Sequence, residues 1–594
     1  MNDIPLNVIP APTDRPVRTA VGYRAAVSAS VVAGLFSLVV AVLMVITFWH
    51  LGTDNPLDAP EHLALKQALR DSPLDAQIKQ QIRESDRQLR STYFSRRAFS
   101  DFGAYLLIGG VTMMLLTARL AAACRARAPM PSRAGQPTDD DNTHPRATSW
   151  SVGALAVITI VAAAFLTIDF RDAPNLVLAS QTPAPTEPST IATRDERPPV
   201  AATAVWPSFR GPGGLGVADA TDLPTDWGGA TRTNIRWSTP IALPGHNSPV
   251  VWGDRIFCTG ADKAGREMYC FDAHSGSLLW SRAVPNVVGR DIDPPIVMAD
   301  TGFAAPTAAT DGQRVYAIFA NGDLIAFDFD GNQVWAESLG APSNHYGHAS
   351  SLITYNNLLL VQFDQGYVDE GMSSLIAFDG GSGRRAWQTP RDVDVSWTSP
   401  IIVPADGHDQ LITLAEPWVI AYDPSTSRQL WRSGDVFGEV APSVAWGDGM
   451  VFAVSPGSQL QAVRVDGRGD VSNTHIAWTT TDDIPDIVSP TCDGRYVYLL
   501  TTSGTLTCLD STDGSTAYRQ KLGARFRSSP IIAGERIYVT SKRGVTLILR
   551  AGPAFEQLAQ CDLGEPVNST PAFVDGRIYI RTEKNMICIE HDTP

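Results

Sequence analysis

A short repeated phrase in the C-terminal part of the chain constrains the fold more than any other feature. It consists of an apolar residue and an Asp, followed about eight residues later by a Trp, with turn-forming residues between them. Six copies are legible: Phe271-Asp272 to Trp280, Phe327-Asp328 to Trp335, Phe378-Asp379 to Trp387, Tyr422-Asp423 to Trp431, Val465-Asp466 to Trp478, and Leu509-Asp510 to Tyr518. Two degenerate copies, Arg550 with Leu558 and Glu590 near the end of the sequence, bring the count to eight.

A second phrase precedes each copy. It is Ser-Pro, Thr-Pro or a variant, followed by a Gly/Asp turn and a β-branched or aromatic run, as in Ser489-Pro490 before Tyr498. Each unit thus has room for four short strands, with a period of about 40 to 57 residues, which is typical of a propeller blade. The sequence predicts an all-β, eight-bladed β-propeller with four-stranded blades over residues 206–594.

The last unit has no room for its outer strand. At the front of the domain, Ile235-Arg236-Trp237 is an unassigned strand that ends in the expected Trp. We expect it to pair with the strand around Met586 to Glu590, because this closes the ring and removes two free edges. The signature Trp residues are then interpreted as structural docking residues between blades: Trp237, Trp280, Trp335, Trp387, Trp431 and Trp478.

Residues 1–205 predict a membrane anchor and a tether. Segment 25–49 is almost purely apolar and long enough to cross a bilayer as a helix, and segments 99–123 and 150–168 predict two more transmembrane helices. An extracytoplasmic helical hairpin is expected at 50–98, and a Pro-, Ala- and Thr-rich linker at 169–205.

The arginines predict the orientation of the three spans. Arg15, Arg18 and Arg24 lie in the segment 1–24, and four more Arg lie in the loop 124–149, so both are expected in the cytoplasm. Three Arg just before the second span argue against this orientation, although the first span usually dominates. We therefore predict a multi-pass protein of the cytoplasmic membrane with an extracytoplasmic or periplasmic propeller.

Charge and cysteine content exclude several classes of function. The net charge of −15 and the scarcity of Lys-rich runs leave no basic surface for nucleic acid. The seven Cys include no C-x-x-C pair for zinc or redox chemistry. Cys258 and Cys270 flank a predicted hairpin, so they either form a disulfide in an exported domain or are two buried thiols.

The Asp-to-Trp repeats resemble the tryptophan-docking motif of the quinoprotein (PQQ-type) propeller superfamily. This superfamily includes PQQ-dependent dehydrogenases and the propeller lipoprotein of outer-membrane protein assembly. The opening phrase Trp206-Pro207-Ser208-Phe209-Arg210-Gly211-Pro212 and the later Trp397-Thr398-Ser399-Pro400 are similar to those of its PQQ-binding-like repeat proteins. The resemblance covers the chain from about Trp206 onwards.

The resemblance implies that the loops before the innermost strands converge on a central channel, where a ligand would bind. The candidate ligand-binding residues in these loops are His246, Asn247, His345, His348, Asp394, Trp397, Glu439, Arg525 and Arg527. Arg525 and Arg527 either bind an anionic group together or pair with Glu439 or Asp486. No metal site is predicted, because the His residues lack an accompanying carboxylate and the segment from Asp364 to Glu370 lacks the spacing of a calcium loop.

Two functions are compatible with these observations. One is a non-catalytic binding or scaffold module for a protein or polysaccharide partner. The other is a membrane-bound dehydrogenase that uses PQQ and calcium. The sequence has no adjacent Cys pair and no complete quinoprotein motif, so we predict no catalytic residue and no cofactor and favour the binding module.

Overall fold

The structure is a computed structural model. It describes residues 17–53, 106–121 except 108, and 205–591 except 221, 288–294, 296 and 406, together with the isolated residues 64, 81 and 85. The chain divides into two compact units, Met1–Arg194 and Asp195–Pro594. The second unit contains all of the described strands.

The first unit contains a long helix, α1 (Val17–Thr53). Its apolar stretch Tyr23–Leu43 is, within the described part of the chain, the one helix long and apolar enough to cross a membrane. The region of the predicted second span contributes a shorter apolar helix, Gly109–Ala121. The predicted third span at 150–168 and cytoplasmic loop at 124–149 lie outside the described residues, as do nearly all of the hairpin at 50–98 and of the linker at 169–205.

The two apolar helices contact each other through small residues. Ser30 Oγ donates a hydrogen bond to the Met114 carbonyl (3.1 Å). A side chain added at Gly34 would meet Met114, and one added at Gly110 would collide with Ser37 and Phe36. Later residues of the first helix thus contact earlier residues of the second, so the two helices are antiparallel. Their glycines allow the two backbones to approach closely.

The second unit is an eight-bladed propeller, as the repeats predict. Its first three strands lie outside the regular repeat: β1 (Val205–Trp206), β2 (Val217–Ala218) and β3 (Ile235–Pro240). Blade 1 comprises β4 (Val250–Trp252), β5 (Arg255–Ala261), β6 (Arg266–Asp272) and β7 (Leu278–Ala283). Blade 2 comprises β8 (Ala309–Thr310), β9 (Arg314–Ile318), β10 (Asp323–Asp328) and β11 (Gln333–Ser338). Blade 3 comprises β12 (Ile353–Tyr355), β13 (Leu358–Phe363), β14 (Ser374–Asp379) and β15 (Arg385–Pro390).

The remaining blades follow the same antiparallel meander. Blade 4 comprises β16 (Ile401–Ala405), β17 (His408–Ala415), β18 (Trp418–Tyr422) and β19 (Gln429–Ser433). Blade 5 comprises β20 (Ala445–Gly447), β21 (Met450–Ser455), β22 (Gln459–Arg464) and, after the short β23 (Gly469–Asp470), β24 (Ile476–Thr480). Blade 6 comprises β25 (Thr491–Cys492), β26 (Tyr496–Leu500), β27 (Thr505–Asp510) and β28 (Thr516–Lys521). Blade 7 comprises β29 (Ile531–Ala533), β30 (Arg536–Thr540), β31 (Val545–Arg550) and β32 (Gln557–Asp562), and blade 8 contains β33 (Ala572–Val574), β34 (Arg577–Arg581) and β35 (Asn585–Glu590).

The ring closes as predicted. β3 is the outer strand of blade 8 and pairs antiparallel with β35, with Trp237 opposite Cys588 and Thr239 opposite Met586. Blade 8 therefore combines residues from the two ends of the domain. Such closure removes the free edges that an open array of blades would expose.

A ring of eight hydroxyls joins the blades around the axis. In every blade, the second residue before the innermost strand is Ser or Thr. Its backbone N–H donates to the hydroxyl of the same position in the next blade at 2.9–3.1 Å. The members are Ser248, Thr307, Ser351, Ser399, Ser443, Ser489, Ser529 and Thr570. Thr570 of blade 8 donates to Ser248 of blade 1, so the eight hydrogen bonds form a closed ring that links every blade to its neighbour.

The signature Trp residues bridge blades through their indole nitrogens. Trp335 Nε1 donates to the Gly380 carbonyl in the turn between the third and fourth strands of blade 3 (2.8 Å). The same turn contains Gly383 at φ 70°, and an added Cβ there would lie 2.6 Å from the Trp335 ring, so only glycine fits. Equivalent bonds link Trp237 to Ala273, Trp280 to Phe329 and Trp478 to Ser511.

Two of the six depart from this pattern. Trp431 Nε1 donates to Gln410 Oε1, and Gln410 in turn donates to the Val465 carbonyl of blade 5, so a glutamine relays the contact. Trp387 faces a turn in which Ser427 replaces the glycine, and its Nε1 is buried with no hydrogen-bond partner within the described part of the chain.

Cys258 and Cys270 are free, buried thiols. Cys258 lies opposite Tyr269, and Cys270 lies opposite Phe257, so the two residues occupy neighbouring pairs of the hairpin. Neighbouring pairs point to opposite faces of a sheet. Of the two alternatives that the sequence left open, a Cys258–Cys270 disulfide is therefore wrong, and the two residues are buried thiols.

Candidate functional site

A segment at the start of the propeller closes one end of the central channel. β1 pairs antiparallel with β4 of blade 1, and β2 pairs parallel with β29 of blade 7. Between them, the Pro207 carbonyl accepts a hydrogen bond from Thr310 of blade 2 (2.9 Å), and a short 3₁₀ turn (Pro212–Gly214) packs against Ile401 of blade 4. We call residues 205–218 the plug, because they contact blades on all sides of the axis.

Arg210 is the centre of the plug. Its side chain is fully buried, and its guanidinium donates to the carbonyls of Leu215, Val444 and Pro490. Val444 and Pro490 directly follow Ser443 and Ser489 of the hydroxyl ring, so the cation lies just below that ring. Burial lowers the pKa of Arg210 to about 9, which leaves it charged at neutral pH.

The opposite end of the channel is an open cavity of about 150 Å³. All eight hydroxyls of the ring line it, together with Phe209 from the plug. Around them lie larger side chains from the loops before the innermost strands: His246, Trp397, Ile487, Arg527 and Asn568. We call this end the mouth and the side of the propeller that carries it the mouth face.

The mouth contains polar atoms with unmet hydrogen-bonding capacity. His246 Nδ1, Trp397 Nε1 and Asn568 Oδ1 are buried and have no partner among the described residues. A small polar molecule or ordered water meets such groups readily. The cavity is thus chemically suited to binding, and it contains a donor, an acceptor and the Arg527 cation.

Two of the candidate histidines are neutral at physiological pH, but they lie in different places. Burial, and then the nearby charges of Arg527 and Arg581, lower the pKa of His246 to about 4. Burial also lowers the pKa of His348 to about 4. His348 is not in the mouth: its ring stacks on Phe363 at 5.4 Å within the core.

Asn247 lies behind the mouth and organises it. The residue is buried, and its amide nitrogen donates to the carbonyls of Thr259 and Ala304 (both 2.8 Å). Its amide oxygen accepts from Arg581, a fully buried cation whose other acceptors are backbone carbonyls. Asn247 therefore holds the loop that positions His246, rather than facing the cavity.

Arg527 is held by an unexpected partner. Its guanidinium donates to the Asp300 carbonyl at 3.0 Å and lies 3.7 Å from the Asp300 carboxylate. Asp300 belongs to the long connection between blades 1 and 2, not to the loops of Glu439 or Asp486 that the sequence suggested. Arg525, two residues earlier, is exposed.

The other candidates form a continuous surface over blades 3 and 4. Tyr346 and Trp397 pack edge to face with ring centroids 5.0 Å apart, and His345 is exposed beside them. Asp394 accepts a hydrogen bond from the Val368 N–H (2.7 Å), which joins two loops. Glu439 is half-buried in the next loop, where the Val440 carbonyl accepts from the Trp397 N–H (2.9 Å).

A buried ion pair that the sequence did not reveal supports this surface. Asp364 and Arg391 are both fully buried, with Oδ1 and Nε 2.8 Å apart. Gln362 and Ser396 also donate to Asp364 (both 2.7 Å). Burial alone lowers the pKa of Arg391, but the adjacent Asp364 raises it and the net shift is upward. Because its carboxylate is engaged in this way, Asp364 is a structural residue.

The mouth does not fit calcium-bound PQQ. Among the described residues that line the cavity there is no carboxylate, so they offer a calcium ion no anionic ligand. Within the described part of the chain, no three His, Cys, Asp or Glu side chains come together to hold a metal ion. The residues present thus do not provide the donor set of a quinoprotein dehydrogenase.

Comparison with known proteins identifies the family. A family model described as "Outer membrane protein assembly factor BamB" matches residues 226–368, 371–488 and 470–551. BamB of Salmonella typhimurium is 24% identical over 314 residues, which cover 51% of this chain and 75% of that protein. In crystal structures, BamB from Moraxella catarrhalis gives a TM-score of 0.45 at 15% identity, covering 60% of this chain and 99% of that one. Quinohemoprotein alcohol dehydrogenase from Comamonas testosteroni gives 0.48 at 12% identity, covering 66% and 82%. Since the family model spans 226–551 apart from two residues, more than half of the 594 residues, this chain belongs to the PQQ-type propeller family described as outer membrane protein assembly factor BamB.

Proposed function

We propose that this protein is a membrane-anchored, extracytoplasmic propeller that acts as a non-catalytic docking module for other envelope proteins. The observation that carries the proposal is membership of the family described as an outer membrane protein assembly factor. The described lining of the cavity contains no carboxylate and the sequence has no Cys-Cys pair, so neither supports the alternative, a PQQ-dependent dehydrogenase. His246, His345, Trp397, Glu439, Arg525 and Arg527 are the residues through which the mouth face meets a partner or ligand.

The experiment uses the full chain in its own membrane. Cells that express it with an affinity tag are treated with a cleavable cross-linker, and the chain is purified under denaturing conditions. We expect the cross-linked adduct to be one discrete extracytoplasmic protein. If the adduct is a polysaccharide, the proposed protein partner is wrong and the partner is a polysaccharide. Purified chain with PQQ and calcium should show no saturable binding by calorimetry and no dye reduction with alcohols or aldoses. Stoichiometric PQQ binding with turnover would overturn the proposal.

Membrane attachment is proposed to use three spans, at 25–49, 99–123 and 150–168. The antiparallel contact of α1 with Gly109–Ala121 supports the first two, and an odd number of spans is what separates a cytoplasmic N-terminus from an external propeller. Cys124 offers a direct test, since it belongs to the proposed cytoplasmic loop and the six Cys of the propeller are buried. An impermeant maleimide should label Cys124 only after spheroplasts are permeabilised. Labelling of intact spheroplasts would contradict this topology.

A further inference from the structure

The loop between β13 and β14 presents apolar side chains to solvent on the mouth face. Tyr367, Val368 and Met372 are 50%, 41% and 38% exposed. We call residues 365–372 the blade 3 knob. Large apolar side chains that lie together on a surface loop favour contact with another molecule, because their burial releases water.

The blade 3 knob is held rigidly. A short 3₁₀ turn (Val368–Glu370) is capped by Glu370, which accepts from the Tyr367 N–H (3.0 Å). Gly366 bonds to the preceding loop through the Ser343 carbonyl and to the following loop through the Val395 N–H (3.0 and 2.8 Å). The apolar side chains are therefore presented by a pre-formed loop, which reduces the entropy lost on binding.

The knob is surrounded by negative charge. The mouth-face loops of blades 3 and 4, with the connections before and after them, contribute Asp369, Glu370, Asp392, Asp394, Glu416 and Glu439. These loops (339–352, 364–373, 391–400, 416–417 and 434–444) contain a single Lys or Arg, Arg391, which is buried and paired with Asp364. The apolar knob thus lies within an acidic rim whose loops expose no Lys or Arg.

The other side of the mouth has the opposite charge. The loops before and within blade 7 expose Arg525, Lys542 and Arg543. Lys542 and Arg525 are adjacent, since the Lys542 N–H donates to the Arg525 carbonyl (2.8 Å). The mouth face is therefore electrically divided, and a cationic partner is attracted to blades 3 and 4 and repelled from blade 7.

We propose that the blade 3 knob and its acidic rim bind a protein segment that presents apolar side chains between Lys or Arg residues. This inference rests on the proposed docking function and names its surface and the chemistry of the partner. The apolar residues seat on Tyr367, Val368 and Met372, with Tyr346 and Trp397 beside them. The partner's cations face the rim, which speeds encounter and fixes orientation.

The test measures binding of the purified full chain, in a non-ionic detergent, to immobilised synthetic peptides. The probe is a short peptide with the core Lys-Arg-Leu-Phe-Lys-Arg. One control peptide has Glu in place of each Lys and Arg, and another has Ser in place of Leu and Phe. We expect the probe to bind about tenfold more tightly than either control, and its association rate to fall as salt is raised.

Substitutions in the chain locate the binding site. Tyr367→Ser with Val368→Ser should weaken probe binding by about tenfold. Asp369→Asn with Glu370→Gln, which keeps the acceptor for the Tyr367 N–H, should weaken it roughly threefold at low salt and less at high salt. The matched apolar control is Leu278→Ser with Leu279→Ser on β7, which are 49% and 41% exposed on the outside of blade 1. The matched charge control is Asp448→Asn, an exposed turn residue at the opposite end of blade 5.

Both controls should bind the probe as the native chain does, and all variants should keep the native melting temperature. Equal binding of the Ser peptide would overturn the inference, because attraction would then come from the net negative charge alone. Equal loss in the control variants would overturn it as well. If a protein partner is cross-linked but the knob variants bind the probe normally, the docking function is supported and the blade 3 knob is not its surface. If the probe binds at the knob but no protein partner is cross-linked, the knob is a binding surface and the proposed docking function is wrong.

Discussion

The two ends of the propeller channel are built on different principles. At the plugged end, the Trp residues dock on turns, and buried Arg210 donates to backbone carbonyls just below the hydroxyl ring. At the mouth, the loops differ in length, three polar atoms have no partner among the residues that the structure describes, and apolar side chains are exposed. Features present in nearly every blade serve stability, whereas features that occur once, such as the blade 3 knob, are candidates for function.

The largest effect is expected from deleting residues 206–240, which removes the plug and the closing strand β3. β35 becomes a free edge, and the carbonyls around Arg210 lose their donor. The unfolding free energy should fall by about 5 kcal/mol or more, which is a large part of the stability of a typical domain. Urea denaturation, monitored by tryptophan fluorescence, measures this change in unfolding free energy. Unchanged denaturation would refute the closure.

The buried ion pair below the blade 3 knob gives the next largest effect. Asp364→Leu leaves the Arg391 cation buried without its carboxylate, which should cost about 3 to 5 kcal/mol of unfolding free energy. The double variant with Arg391→Met should recover most of this loss, because no charge is then buried. If the double variant is as unstable as the single one, packing and not charge is the cause.

Acid should destabilise the propeller through its buried histidines. The folded chain keeps His348 neutral with a pKa of about 4, whereas the unfolded chain takes up a proton near pH 6.5. Stability is therefore full above pH 6.5 and is lost as the pH falls from 6.5 to 4, by about 3 kcal/mol at most for this residue. His348→Gln should lose less stability than the native chain over this range. Parallel curves for the two proteins would contradict the assignment.

The smallest effect separates two Trp residues that the sequence treats alike. Trp335 bonds to Gly380, whereas Trp387 Nε1 has no partner within the described part of the chain. Trp335→Phe should therefore cost about 1 kcal/mol more than Trp387→Phe in unfolding free energy, the net value of one hydrogen bond. Equal losses would mean that packing alone determines what each Trp contributes.

Sequence reasoning was strongest where a signal is repeated. The Asp-to-Trp copies predicted eight blades, and the orphan strand at Ile235 predicted the closure, because each copy reports the same local geometry. The sequence showed the hydroxyl ring only as Ser-Pro phrases and did not predict its hydrogen bonds. Each of these bonds joins two neighbouring blades, so it depends on how the blades are arranged around the axis. In the N-terminal unit, one helix long enough to cross a membrane lies among the described residues, where three spans were expected.

The single-copy features were hardest to predict. Arg527 bonds to Asp300, which is 227 residues away in sequence, so no local pattern could reveal the pair. In the segment from Asp364 to Glu370, the sequence showed only carboxylates without the spacing of a calcium loop. In the structure, Asp364 is buried and Tyr367 is exposed. Apolar residues flanked by acids in a loop between two strands were the available signal. Arg210 was hidden in the opening phrase. Gly211 in that phrase and the three glycines just after it have positive φ, which is typical of a tightly packed segment.

Site-specific photo-cross-linking in intact cells tests most directly whether the protein docks through its mouth face. A photoreactive amino acid is placed at Tyr367 on the mouth face, at Asp448 at the opposite end of blade 5, and at Leu279 on the outside of blade 1. These positions are all exposed, so their reactivity toward solvent is comparable. We predict a discrete protein adduct from position 367 and none from positions 448 or 279. Adducts from position 448 or 279 with none from position 367 would contradict the account.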